Sequence, residues 1–146
     1  KEKVKAVHFI GNGPNMEAYK ALVADSDIHF VFHGFLKFNH LFEIFEKAHF
    51  FLLPSSASEG FPKVIAEAIN FGCIPVVSNV SSIGQYIHDG KNGLISEPNT
   101  SENLKDVIER IHELKPEALK ALQSNQELID LFTYDYYLER IKNEII

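Results

Sequence analysis

An α/β fold, with a mostly parallel sheet covered by helices on both faces, is what this sequence predicts. Two observations predict it. Short apolar runs recur at 4–10 (VKAVHFI), 28–33 (IHFVFH), 49–53 (HFFLL), 74–78 (IPVVS) and 94–96 (LIS), and stretches of helical spacing lie between them; strands alternating with helices imply crossovers between parallel neighbours. The run at 28–33 is nearly all β-branched or aromatic, as in strands covered on both sides. The chain of 146 residues, 45% hydrophobic, reads as a single domain able to bury a core. Its formal net charge of -6 argues against a nucleic-acid surface. One cysteine, Cys73, excludes an internal disulfide and reads as a small buried residue between a helix end and a strand. No apolar run approaches the ~20 residues of a membrane span and no secretory signal opens the sequence, so the expected location is cytoplasmic.

The elements follow in order. Strand 4–10 gives way to Gly11-Asn12-Gly13-Pro14, a tight turn lacking the third glycine of a dinucleotide fingerprint, since Met16 stands there. Met16, Tyr19, Leu22 and Val23 then predict a helix over 15–24. In strand 28–33, His29 and His33 share a face; with no third ligand nearby they read as packed neutral histidines, and no metal is expected. The loop 34–38 leads to a helix over 40–48 that Asn39 can cap. After the strand at 74–78, a short helix over 83–87 and the turn Asp89-Gly90-Lys91-Asn92-Gly93 precede the last strand. Thr100 or Ser101 caps a helix with an apolar stripe from Leu104 to Leu114, Pro116 starts another to about Leu131, and Thr133 caps the last, which carries Tyr137, Leu138, Ile141 and Ile145.

The stretch 54–72, PSSASEGFPKVIAEAINFG, organises the rest. A small, polar turn from Ser55 to Gly60 separates a buried strand from a helix that opens with Pro62 and stops at Gly72, the left-handed residue beyond the helix end. Val64, Ile65, Ala66, Ala68, Ile69 and Phe71 make this helix mostly buried. Yet Glu67 lies within its first turns and Glu59 just before it. One carboxylate there is explained by the positive end of the helix dipole. Two, flanking a Gly-Phe-Pro turn with exposed amides, point to a ligand site, and such an end also attracts phosphate. Ligands of parallel sheets bind at the carboxyl ends of the strands, which gathers Gly11, Phe35, Ser55, Glu59 and Glu67 on one rim.

Glu59-Gly60-Phe61-Pro62 and Glu67, with seven residues between the glutamates, resemble the E-x7-E motif of retaining GT-B glycosyltransferases, most closely the group 1 (GT4-like) branch. Ile10-Gly11-Asn12-Gly13-Pro14, His33-Gly34-Phe35, Leu53-Pro54-Ser55, Gly72-Cys73-Ile74-Pro75-Val76-Val77-Ser78 and Asp89-Gly90-Lys91-Asn92-Gly93-Leu94 occur in the family's order and extend the likeness over nearly the whole chain. The resemblance implies a Rossmann-like, doubly wound, mostly parallel sheet, one half of a GT-B fold, spanning 1–146 and carrying a nucleotide diphosphate sugar donor. It implies that Glu67 accepts hydrogen bonds from the ribose, that Glu59 with Gly60, Phe61 and Pro62 holds the sugar, and that amides at Val64 and Ile65 meet the diphosphate. Phe35 and Leu36 would line the base beside Gly11, Asn12 and Gly13, with Ser55 in the same site and Lys63 near a phosphate or solvated. No cofactor or metal is implied.

The family's N-terminal acceptor-binding domain and its first strand, ending in Gly-Arg followed by Lys, are not in this sequence. The expectation is a piece of a larger enzyme, inert alone, in which strands 4–10 and 50–53 close up or a second copy covers an unpaired sheet edge. For the intact enzyme the resemblance implies work on surface polysaccharides or glycolipids at the inner face of the membrane. A non-catalytic GT-B-like binding or regulatory subunit is the alternative, disfavoured by the retention of both glutamates. A receiver-type signalling domain needs an acidic cluster where Gly11-Asn12-Gly13-Pro14 stands.

Overall fold

The computed structural model describes residues 4–57, 60–97 and 100–144. Its elements run β1 (Ala6–Ile10), α1 (Met16–Leu22), β2 (His29–Gly34), α2 (Phe38–Phe45), β3 (Phe50–Leu53), α3 (Lys63–Asn70), β4 (Ile74–Ser78), α4 (Ile83–Tyr86), β5 (Leu94–Ser96), α5 (Ser101–Glu113), α6 (Pro116–Gln123), α7 (Gln126–Asp130) and α8 (Tyr134–Glu144). Every strand pairing is parallel, as the alternation of strands and helices requires. Two compact units make up the chain, Lys1–Ile44 and Phe45–Ile146. The ladder of the first is β1–β2 and that of the second β3–β4–β5. Each ladder lies within its own unit among the described residues.

In the first unit β1 and β2 pair from Ala6↔His29 to Phe9↔Phe32, with a register shift before Ile10↔Gly34. One face is aromatic. Phe9 stacks on Phe32 at 4.8 Å and on Tyr19 of α1 at 6.2 Å. The opposite face carries His8, His29 and His33 by strand alternation. Coverage is thinner than the composition of β2 predicts: its residues are half-buried or exposed. Leu22, placed on the apolar side of its helix by spacing, is 81% exposed.

The second unit has the core. All five residues of β4 are buried, and alternation sends them to two clusters. Ile74, Val76 and Leu94 meet Val107 of α5 and Leu122 of α6. Val77 meets Ile65 and Ile69 of α3, Ile83, Ile87 and Leu128 of α7. Helices therefore cover both faces of this sheet. The end of α3 is set by Gly72, which takes φ +82 beyond the last turn. Its N–H donates to Ile69 O at 2.8 Å and that of Cys73 to Ala68 O at 3.1 Å, the paired bonds that close a helix through a left-handed residue. Cys73 is fully buried, its Sγ facing the carbonyls of Phe45 and Ala48 at 3.4 and 3.5 Å. Burial pushes its thiol up to about 11, which keeps it protonated.

The helix expected over 116–131 is two helices. Asn125 breaks it: its side-chain amide donates to Leu122 O at 2.7 Å and to Asn92 O at 3.2 Å, in competition with helical bonding. Helix α2 starts at Phe38, so Asn39 lies inside it and does not cap it. Thr100 caps α5 as expected, accepting from Asn103 N–H at 3.2 Å, and Thr133 accepts from Tyr136 N–H at 3.2 Å at the start of α8. Within the turn 88–93, Asn92 accepts from His88 N–H at 2.7 Å and donates to Tyr86 O at 2.8 Å. No helix among the described residues is long and apolar enough to cross a membrane.

Candidate functional site

The chain leaving β3 curls at once. Ser55 N–H donates to Leu53 O at 2.9 Å, and the Ser55 hydroxyl accepts from Ala57 N–H at 3.1 Å. Gly60 follows at φ +23. Pro62, with φ -64 and ψ 116, is the extended residue ahead of α3. Ile65 N–H donates to Pro62 O at 3.0 Å. The amides of Lys63 and Val64 have no hydrogen-bond acceptor among the described residues, as expected of a first helical turn. These amides carry the positive end of the α3 dipole.

A cavity of about 140 Å³ opens at this point. Leu53, Ser55 and Ala57 form its β3 side, Gly60, Pro62 and Val64 its α3 side, and Val80 and Ile83 close it from the segment after β4. A second cavity, of about 250 Å³, lies along α3. Ala66, Glu67 and Asn70 line it opposite Leu128, Ile129, Phe132 and Thr133. The half-buried Glu67 thus borders a different concavity from Ser55, Gly60, Pro62 and Val64.

The other residues singled out from sequence have these places. The side chain of Ile65 is fully buried in the core, so only its amide can serve a ligand, and that amide is engaged by Pro62. Lys63 is exposed and makes no ion pair with a described residue. Phe61 packs on Tyr86 and Phe132. Glu59 lies outside the described residues. In the first unit, Gly11 takes φ +116 and its N–H donates to Gly34 O at 2.7 Å. Asn12 Oδ1 lies 3.0 Å from the place of a Cβ on Gly34, which only glycine at φ +66 leaves open. Gly13 and Phe35 are exposed, the latter by 80%, and Leu36 is half-buried.

Sequence reasoning missed Val80 and Ile83, although the carboxyl end of β4 is where the rim rule would have pointed. It also missed His8. His8 joins the face that His29 and His33 share and pairs with His33: Nδ1 and Nε2 are 2.8 Å apart and the rings stack at 5.1 Å. Partial desolvation against its neighbours first, then the charges of His33 and His29, hold the largely exposed His8 below its ordinary value. Among the described residues no group of three or more His, Cys, Asp or Glu is arranged to hold a metal.

Parallel strands with helices on both sides, ending at a cavity where a helix N-terminus meets the strand ends, define a Rossmann-like domain of the GT-B kind. The chain belongs to the glycosyl transferases group 1 family, whose model matches residues 2–128. It is 30% identical over 107 residues to an exopolysaccharide phosphotransferase of Streptomyces coelicolor, a match covering 72% of this chain and 11% of that protein. Its fold is similar to sucrose-phosphate synthase from Thermosynechococcus elongatus, with a TM-score of 0.76 at 21% identity over 92% of this chain and 36% of the other. It is also similar to the catalytic domain of cholesterol-α-glucosyltransferase from Helicobacter pylori, with a TM-score of 0.68 at 25% identity over 86% of this chain and 76% of that one. The chain thus spans about a tenth of the phosphotransferase and about a third of the synthase.

Proposed function

We propose that this chain binds the nucleotide diphosphate sugar donor of a retaining glycosyltransferase, and that transfer to an acceptor hydroxyl requires an acceptor-binding part in addition. The observation that carries this reading is the start of α3, where Pro62 and Val64 line a cavity with Ser55, Gly60 and Val80 and the Lys63 and Val64 amides have no acceptor among the described residues. During transfer the bond from the anomeric carbon to the diphosphate oxygen breaks, and negative charge gathers on the diphosphate. Fixed N–H donors and a helix dipole stabilise that charge without having to reorganise. Glu67, held by a helix anchored in the core through Ile65 and Ile69, accepts from the ribose diol. Glu59 orients the sugar, on the strength of the motif alone.

Calorimetric titration of the full-length protein with UDP, GDP and ADP, and with their glucose esters, tests the reading. One nucleotide and its sugar ester bind. Glu67→Ala weakens the bare diphosphate about tenfold, the equivalent of ~1.4 kcal/mol, as expected from losing a charge-assisted hydrogen bond. Glu59→Ala leaves that affinity in place and lowers turnover. Unchanged affinity in Glu67→Ala would reduce this carboxylate to a helix-end stabiliser.

A further inference from the structure

The turn formed by Gly60, Phe61 and Pro62 leads directly into the amides at the start of α3, and among the described residues its backbone is tied through Ile65 N–H to Pro62 O at 3.0 Å. Nothing lies within 4 Å of the place of a Cβ on Gly60, and Pro62 has no N–H to donate. Phe61 is its one large side chain and packs at the margin of the core cluster under α3. There its ring stacks on Phe132, with centroids 4.5 Å apart and an interplanar angle of 18°. Tyr86, the last residue of α4, meets Phe61 edge-on at 5.0 Å and Phe132 at 5.2 Å. Phe132 is itself held. Its N–H donates to Ile129 O at 3.0 Å, and the next residue, Thr133, ties its hydroxyl to Asp130 O at 2.8 Å. Three rings therefore join the turn before α3 to the end of α4 and to the α7–α8 turn.

We propose that Phe132 is a positioning residue for the donor: by stacking on Phe61 it fixes the Gly60–Pro62 turn and so aims the Lys63 and Val64 amides at the diphosphate. This rests on the donor-binding reading above. Ring pairs have a preferred offset geometry, so the stack holds Phe61 in orientation as well as in place. Phe132 is 38% exposed. Truncating it opens no sealed cavity, and its effect falls on the turn more than on the core.

The test compares full-length Phe132→Ala and Phe132→Tyr, with Leu104→Ala of α5 as a control that perturbs the opposite cluster. Two readouts are taken: hydrogen exchange at the Ile65 amide without ligand, and calorimetric affinity for the bare nucleoside diphosphate. In Phe132→Ala the Ile65 amide exchanges faster and the diphosphate binds about three- to tenfold more weakly. Phe132→Tyr restores both, and Leu104→Ala changes neither. Unchanged Ile65 exchange in Phe132→Ala overturns the proposal whatever the ligand does. Faster exchange with full affinity overturns the positioning role while the donor site stands. An unmodified protein that binds none of UDP, GDP or ADP overturns the donor reading, and this inference with it.

Discussion

β2 and β4 are both short strands in parallel ladders, β2 with one strand neighbour and β4 with two among the described residues, and they differ in what covers them. IHFVFH and IPVVS each carry four apolar residues, yet no described residue of the first unit is buried, whereas every residue of β4 is. The β1–β2 ladder runs through five registered pairs, more than either ladder of the second unit. Hydrogen-bonded pairing and core formation are therefore separable. A ladder satisfies the backbone, but the favourable term in folding comes from apolar area withdrawn from water, and that area lies around β4.

The comparison breaks most visibly at the two cores. Ile69→Ala, at a side chain only 2% exposed, is expected to cost about 2–5 kcal/mol of global stability in urea unfolding. Phe9→Ala, in the half-exposed aromatic face of β1–β2, costs about 1–2 kcal/mol, because less area returns to water. Equal losses would mean that the first unit has a core after all.

Matched glycines sharpen it next. Gly72 and Gly34 both lie in the left-handed region, at φ +82 and +66. A Cβ on Gly72 meets nothing, so Gly72→Ala costs only the backbone strain, about 1–2 kcal/mol, read in global unfolding. Gly34→Ala must also displace the Asn12 side chain. Its effect is expected in amide exchange of β1 and β2 and not in that of β4.

The smallest effect is the pH response of the histidine face. His8 is held below its ordinary value of 6.5 in the folded protein, so the native state binds fewer protons than the unfolded one. The stability it contributes is present above pH 6.5 and is lost as pH falls toward the lowered value. Exchange protection in β1–β2 should drop between neutral and mildly acid pH, while β3–β5 stays protected. His8→Val should remove the dependence. A fall in protection shared by both ladders would point to a different titrating group.

What could be read from the sequence was local. Gly72 is legible because only glycine comfortably ends a helix in that conformation, and Thr100 because a hydroxyl three residues ahead of a free amide is itself the cap. The family, too, was carried by short ordered motifs that survive without coordinates. What could not be read depends on register or distant partners. His8 faces His33 only through the parallel register of β1 on β2. The break at Asn125 needs the carbonyl of Asn92, 33 residues away. Val80 and Ile83 enter the cavity, and Phe132 reaches Phe61, only once β4 and α7 have been placed against α3.

The turn that Asn92 shapes has a chemical consequence as well. Asn92-Gly93 is the dipeptide in which a backbone nitrogen most readily attacks the side-chain carbonyl, expelling ammonia to close a succinimide ring that water then opens to isoaspartate or aspartate. That attack needs the side chain free to swing toward Gly93. Here the oxygen is held by His88 N–H and the nitrogen by Tyr86 O, while Gly93 is wedged against Ile87 and Pro75 so tightly that even a Cβ would collide with them. The folded turn thus shelters its own most perishable bond, and chemical ageing at this position becomes a clock that runs chiefly when the second unit opens.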